Sequence, residues 1–410
     1  MTSNHRFSAF AAWSCITFFY CYQYILRLIP NLIMPELISK YNISADEFGA
    51  YAGIYYIGYV IVHIPLGLLL ARLGSKTVLP ICMLIASAGL LPLIYFDSWT
   101  LVKFGRLMVG VGSSACIIAA FQIFRIVFHA KFSRMLGGMV CVGLIAASNM
   151  SAPLSGMIIK LGIEPVIQLL LCAGVVLAIA SYFILPQIKS DNASSNWNDI
   201  LAILTNKKLL VVSILGGLMV APLEGFADAW GTAFISAVYG ITRFNAGNIV
   251  SSVLTGMCIG SLVLPYIAER YRNYYAVTLI SSCFMLAIFM AMIVKIGDST
   301  ILHAFCLMLG FFSAYQVVIL SRIAMYVPEK DSSLAASIGN MIIMSFGFFF
   351  HSAIGKVMDY NWHNTFAADG SKTYSVDAYL HSISIIPAAL VIATLGFSIV
   401  LITNNRWRKN

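Results

Sequence analysis

The chain has 410 residues, of which 60% are hydrophobic and only 10% charged, whereas about a quarter of the residues of an ordinary soluble domain are charged. With a mean hydropathy of +0.88, water is excluded as its main solvent, and the length accommodates about a dozen crossings at roughly 20 apolar residues each. The net charge of +9 does not point to a nucleic-acid partner, because the Lys and Arg stand in short segments between apolar runs, as topology determinants do.

The N-terminus carries one Arg before an apolar stretch too long for a signal peptide, so 8–37 is predicted to be the first membrane helix. Eleven more are predicted at 47–71, 77–96, 100–127, 135–159, 165–186, 209–239, 246–268, 274–296, 300–327, 335–358 and 380–403. Helices are the only solution, since the runs are too long and unalternating for barrel strands and lipid offers no partner to an open sheet edge. The longest connection, 187–208, carries Lys189, Asp191, an Asn/Ser stretch and the amphipathic WNDILAILTNKK, a linker ending in a helix suited to the membrane surface. The expected organisation is a six-helix half at 1–186, a cytoplasmic linker at 187–208 and a second six-helix half at 209–410. With the N-terminus inside, sixteen Lys and Arg fall on the cytoplasmic side, among them Arg72, Lys76, Lys131, Arg134, Lys207, Lys208, Arg270, Arg272, Arg406, Arg408 and Lys409. Seven fall outside, which predicts both termini in the cytoplasm. The outer segment 359–379, with Trp362, His363, Tyr374 and Asp377, is long enough for a lid but is expected to be a plain surface loop. All nine cysteines lie in apolar segments without a CxxC pair, so they are expected to be small buried hydrophobes; no metal or cofactor is implied.

The halves are related. A slide of about 198 residues lays IGYVIVHIPLGLLLARLGSK (57–76) over TGMCIGSLVLPYIAERYRNY (255–274), so that Gly58 meets Gly256 and Arg72 meets Arg270. A slide of 197 lays Arg125 over Arg322, and one of 199 lays Gly156 over Gly355. Three matches at nearly one offset indicate an internal repeat.

GLLLARLGSK (67–76), with Gly67, Arg72 and Gly74, is similar to a Gly-x-x-x-Asp-Arg-x-Gly-Arg-Lys loop between second and third helices. RLMVGVGSSA (106–115) is similar to an Arg-x-x-x-Gly-x-Gly-x-Ala motif of a fourth helix, and APLSG (152–156), with Pro153 and Gly156, to a Gly-Pro motif of a fifth. On these motifs the chain resembles the major facilitator superfamily over essentially its whole length. The resemblance implies an all-α membrane protein with twelve transmembrane helices in two pseudo-symmetric halves, working as a secondary transporter. Ala71 replaces the loop acid, Ser75 a basic residue, and Ala152 and Ser155 glycines, which puts the N-terminal charge latch in doubt; Glu269 and Arg270 are candidates to supply one from the other half. YCYQYILRLIPNLIMPEL (20–37) and FADAWGTAFISAVYG (226–240) resemble a bacterial branch that includes amino-acid importers of intracellular bacteria, which implies an inner-membrane location and an acid ahead of Trp-Gly, here Asp228.

Charges inside the membrane are costly and mark function by default. Arg27 lies past the middle of the first span, Arg106 near the outer end of the fourth, and Glu224 and Asp228 one turn apart on the seventh. The repeat carries Arg27 to Phe226, within a turn of both acids, so the three charges are expected around a central cavity. There Arg27 would hold a substrate carboxylate through a planar two-pronged contact, and Glu224 or Asp228 an ammonium group or a transported proton. Tyr51, Tyr55, Tyr59 and His63 form a stripe on the second span. Tyr22, Gln23, Gln122, Asn149, Gln316 and Asn340 are further polar residues in apolar surroundings, with Tyr22, Gln23, Tyr55 and Tyr59 the candidates to line the cavity. The competing reading of each is structural: a charge pair sealing a gate, or polar residues bridging helices.

The function expected is proton-coupled alternating access for an amino acid or short peptide, by a monomer. A sugar acid or other carboxylate held by Arg27 with Arg106, and a non-transporting sensor on the same fold, are the alternatives. No Walker-type, HExxH or GxSxG sequence occurs and the seven histidines are scattered, so neither ATP drive nor an enzyme is indicated.

Overall fold

A computed structural model describes residues 3–128, 132–187, 197–328, 331–367 and 370–407. The Asn/Ser part of the linker with Lys189 and Asp191, and the basic residues Lys131, Arg408 and Lys409, lie outside the described residues. Among those described the chain is almost wholly helical, and twelve helices are long and apolar enough to cross a membrane. They are α1 (Ala9–Tyr41), α2 (Ala45–Leu70), α3 (Ser75–Tyr95), α4 (Trp99–Phe128), α5 (Met135–Leu161), α6 (Ile163–Ile184), α7 (Lys207–Tyr239), α8 (Arg243–Arg270), α9 (Tyr274–Ile293), α10 (Ser299–Ala324), α11 (Leu334–Tyr360) and α12 (Val376–Thr403). Each overlaps its predicted span, with ends displaced by about four residues or fewer. The displacement is chiefly outward, because polar end residues such as Arg243 and Asp359 extend helices whose apolar stretches stop earlier. In the linker, WNDILAIL (Trp197–Leu204) is a short helix as expected.

Helix ends follow local chemistry. Asn206, Asn273, Asp298 and Ser375 cap α7, α9, α10 and α12 by accepting amide hydrogens of the first turn. Gly74, at φ 84°, makes the turn into α3, and a side chain there would meet Gln187. Ser44 and Glu47 form a reciprocal capping box at the start of α2: the Ser44 N–H donates to Glu47 Oε2 (3.0 Å) and the Glu47 N–H to Ser44 Oγ (3.2 Å).

The internal repeat has a physical counterpart. A Cβ on Gly58 (α2) would lie on the Leu107 carbonyl oxygen of α4, and one on Gly110 (α4) on the Tyr55 carbonyl oxygen of α2. In the same way Gly256 (α8) lies against Leu307 of α10, and Gly310 (α10) against Val253 of α8. These reciprocal glycines let two backbones touch, the usual device for joining helices in lipid, where apolar side chains gain nothing by leaving the tails. The helical run of α4 breaks at Ser114 and that of α10 at Ala314, each four residues after its glycine.

By their internal contacts the residues form two compact units, Met1–Ile29 with Ile54–Ser195, and Pro30–Gly53 with Asn196–Asn410. The expected division of the sequence puts 30–53 in the first half, whereas contacts group it with the second unit. The reason is local: Gly49 and Gly53 of α2 lie directly on the backbone of α11 at His351 and Phe348, and Gly355 of α11 lies on Ala45.

Candidate functional site

In the first unit the site is built on the turn of α1 that ends at Ile29, just before a proline. Pro30 sits inside α1, and a proline there has no N–H for the carbonyl four residues earlier, that of Leu26. Arg106 of α4, 5% exposed, supplies the missing donor: its Nη1 donates to Leu26 O at 2.8 Å and its Nη2 to Arg27 O at 3.0 Å. The same guanidinium lies 4.8 Å over the Tyr55 ring, and Tyr55 donates its hydroxyl hydrogen to Gln23 Oε1 at 3.1 Å. Hydrogen bonds from a charged donor contribute on the order of 1.5–3 kcal/mol each, so this contact fixes the opened turn of α1 in place.

That turn carries Arg27, itself 5% exposed. Its guanidinium lies 5.1 Å from the Tyr24 ring and 5.5 Å from the Tyr56 ring, an aromatic cradle that favours a cation. Tyr59 continues the aromatic wall, 6.3 Å from Tyr55, and stacks on buried His63 at 5.2 Å. Tyr22 turns elsewhere, sharing a hydrogen bond with Ser87 of α3 at 3.1 Å, where it packs against Gly174. Sequence reasoning selected Arg27, Arg106, Gln23, Tyr55 and Tyr59 but passed over Tyr24 and Tyr56. The first had a signal in its spacing of three from Arg27; the second depends on how α2 packs. Asn149 is exposed and donates to Ile145 of its own helix, so it bridges nothing among the described residues.

In the second unit the corresponding feature is a wide helical turn. The first part of α7 ends at Leu218, and Ala221–Trp230 continues as a π-helix before α-helix resumes at Gly231. All ten residues of that turn are buried, with Glu224 0% and Asp228 2% exposed. Segments of this wide pitch are rare and concentrate at functional sites. The i, i+4 spacing falls just short of one wide turn, so both carboxylates stay on one side of the helix. Phe226, the repeat position of Arg27, packs edge-on against Phe234 (5.8 Å) and Phe289 (5.4 Å), which commits the opposite side to the core. Trp230, also fully buried, meets Phe48 edge-on at 5.2 Å. The Thr232 N–H donates to Asn31 Oδ1 at 3.2 Å, so α1 below Pro30 is tied to α7 just past the wide turn.

The residues of the loop and helix motifs, which sequence reasoning took as gating or structural, have varied surroundings. A methyl group on Gly67 would find only ordinary contact, 3.9 Å from Ile118. Arg72, Glu269 and Arg270 are exposed and make no ion pair among the described residues. Glu269 lines a cleft of about 300 Å³ with Arg272, Tyr275 and Arg322. Pro153 and Gly156 lie within one unbroken helical run, Phe132–Leu161.

Helices of this length and apolarity, enclosing ionised side chains against their own backbone, define a multi-pass integral membrane protein. The sequence matches the Major Facilitator Superfamily over residues 13–370, and the chain belongs to that family. Among solved structures it is similar to a bacterial homologue of the human lysosomal transporter Spinster, in an inward-facing and occupied conformation (TM-score 0.76, 14% identity, 97% of each chain covered). It is also similar to a point variant of the nucleoside transporter NupG (TM-score 0.75, 17% identity, 95% of this chain and 99% of that one). A curated relative named for metabolite transport, NicT of Pseudomonas putida, is 24% identical over 151 residues, 36% of this chain and 34% of that protein. The match thus spans about a third of that relative's length.

Proposed function

We propose that the chain is a secondary transporter that moves a small zwitterion, an amino acid or short peptide, together with protons by alternating access. Arg27 is the group that takes the solute carboxylate; Asp228 and Glu224 are the groups that take its ammonium or the coupled proton. The protein works as a monomer in a bacterial inner membrane with both termini cytoplasmic. The observation that carries this reading is the wide buried turn of α7 with its two carboxylates on one side, since acidic groups inside a membrane are costly and mark function by default. Membership of the family, and the names of the relatives, support solute transport in general. The organic-anion alternative needs Arg106 beside Arg27 as a second cation. Both Nη atoms of Arg106 are given to α1 carbonyls, so its role is to position the turn that bears Arg27.

The test is uptake of radiolabelled amino acids, dipeptides and sugar acids into proteoliposomes, with and without an inward proton gradient. Zwitterion uptake is expected to rise with the gradient, to be lost in Arg27→Gln, and to lose its response to the gradient in Asp228→Asn. Unchanged transport in both variants would discard the zwitterion site.

A further inference from the structure

The second unit holds a charged cleft that the transport reading does not use. The end of α8, the turn after it, the start of α9 and the end of α10 meet there, and Glu269, Arg272, Tyr275, Arg322 and Met325 line about 300 Å³. Arg322 is held in place by its own neighbours. Its guanidinium lies 5.1 Å from the Tyr326 ring and 5.5 Å from the Tyr275 ring. Its Nε donates to Tyr275 Oη at 3.3 Å and its Nη1 to Met325 Sδ at 3.8 Å, and the hydroxyls of Tyr275 and Tyr326 share a hydrogen bond. A thioether is a weak acceptor. The acid of the cleft, Glu269, forms no ion pair with Arg322 among the described residues.

The internal repeat marks the second cation. The slide of 198 that lays 57–76 over 255–274 carries Gly74 to Arg272. Both stand in the left-handed region, Gly74 at φ 84° and Arg272 at φ 48°. Glycine takes that conformation without steric cost, whereas a residue with a Cβ is strained there, and such strain concentrates where a side chain has a task. The turn is closed by backbone bonds, Arg272 N–H to Glu269 O (3.2 Å) and Asn273 N–H to Ala268 O (3.1 Å). The chain reversal therefore does not itself call for a guanidinium.

Position and charge select the ligand. These are the ends of membrane-spanning helices, the level at which lipid headgroups lie. Tyr266 and Tyr271 at the same end of α8 are 68% and 75% exposed, as in the aromatic belt of a membrane interface. Two arginines against one glutamate leave a single net positive charge in the cleft. A phosphodiester carries one negative charge, and its oxygens match the fork of a guanidinium. A free phosphate ion carries more charge than the cleft balances and has no apolar tail to leave in the bilayer.

We propose that this cleft binds the phosphodiester of an anionic phospholipid, with Arg272 and Arg322 as its two cations. The site lies within one unit and does not depend on which solute the protein carries.

Native mass spectrometry of the full-length protein, delipidated in detergent and titrated with dioleoylphosphatidylglycerol, tests it. Arg322→Gln and Arg272→Gly are each expected to weaken binding about tenfold, the loss of one charge-assisted hydrogen bond, and Glu269→Gln to strengthen it. Arg272→Gly installs the residue that the first half uses at this turn, so its melting temperature without lipid should stay close to that of wild type, while the rise in melting temperature on adding the lipid shrinks. A purely structural arginine would not give that combination. Dioleoylphosphatidylethanolamine, with the same diester but no net charge, is expected to bind more weakly. Equal binding of the two lipids, or phosphatidylglycerol binding unchanged in both arginine variants, would overturn the site. Displacement of the lipid by inorganic phosphate would overturn the lipid as its ligand. If Arg322→Gln does not fold, Arg272→Gly alone decides.

Discussion

Proline at position 30 removes the donor that the Leu26 carbonyl would otherwise have, and Arg106 spans that carbonyl and the next with two N–H groups on one plane. The pairing explains why a guanidinium is needed two turns into α4. An ammonium carries the same charge but has no fork to bridge two carbonyls. Arg106→Lys is therefore expected to cost about 1–3 kcal/mol of stability, seen as a lower melting temperature of the purified protein. It should also raise KM for the proposed solute more than it lowers kcat, because Arg27 then sits on a looser turn. A melting temperature and KM equal to wild type would show that the two carbonyls are satisfied some other way.

At the scale of elements, glycine has two different jobs that a motif cannot separate. Gly110 and Gly310 occupy points where α4 meets α2 and α10 meets α8 backbone to backbone, while Gly67, in the recognisable loop motif, has room beside Ile118. Overfilling a close-packed contact costs about 1–3 kcal/mol, so Gly110→Val and Gly310→Val should each lower thermal stability by that order, whereas Gly67→Ala should leave it unchanged. Size-exclusion chromatography after graded heating would separate the three variants. Equal tolerance of all three would mean that the helix pairs adjust by sliding. The wide turn of α7 belongs to this scale as well: Met219 and Val220 end one helical run, Pro222 opens the next, and the altered pitch carries Glu224, Asp228 and Trp230 into the interior together.

For the molecule as a whole, the proposed proton coupling can be tested separately from solute movement. If Asp228 and Glu224 carry the proton, Asp228→Asn should abolish accumulation driven by a pH gradient yet retain solute exchange between the two sides at equal concentration, since exchange needs no net proton movement. Counterflow in proteoliposomes measures this directly. Loss of both activities together would assign Asp228 to solute binding alone.

The sequence by itself determined the solvent, the number of crossings and the repeat, because a membrane helix needs a long apolar run and an intramembrane charge stands out against it. Thus α1 to α12 were legible to within a few residues, and Arg27, Arg106, Glu224 and Asp228 were visible as exceptions. The tertiary structure alone decided what those exceptions touch. That Tyr24 and Tyr56 cradle Arg27, that Arg106 serves a carbonyl freed by Pro30, and that Ala221–Trp230 widens into a π-turn all depend on neighbours distant in sequence. The same holds for 30–53, whose hydropathy assigns it to the first half while Gly49 and Gly53 lie against α11 and the Asp46 amide donates to Asp359 at the end of that helix. Hydropathy records transfer from water to lipid, residue by residue; it carries no information about which backbone donors remain unsatisfied or which distant acid comes to meet them.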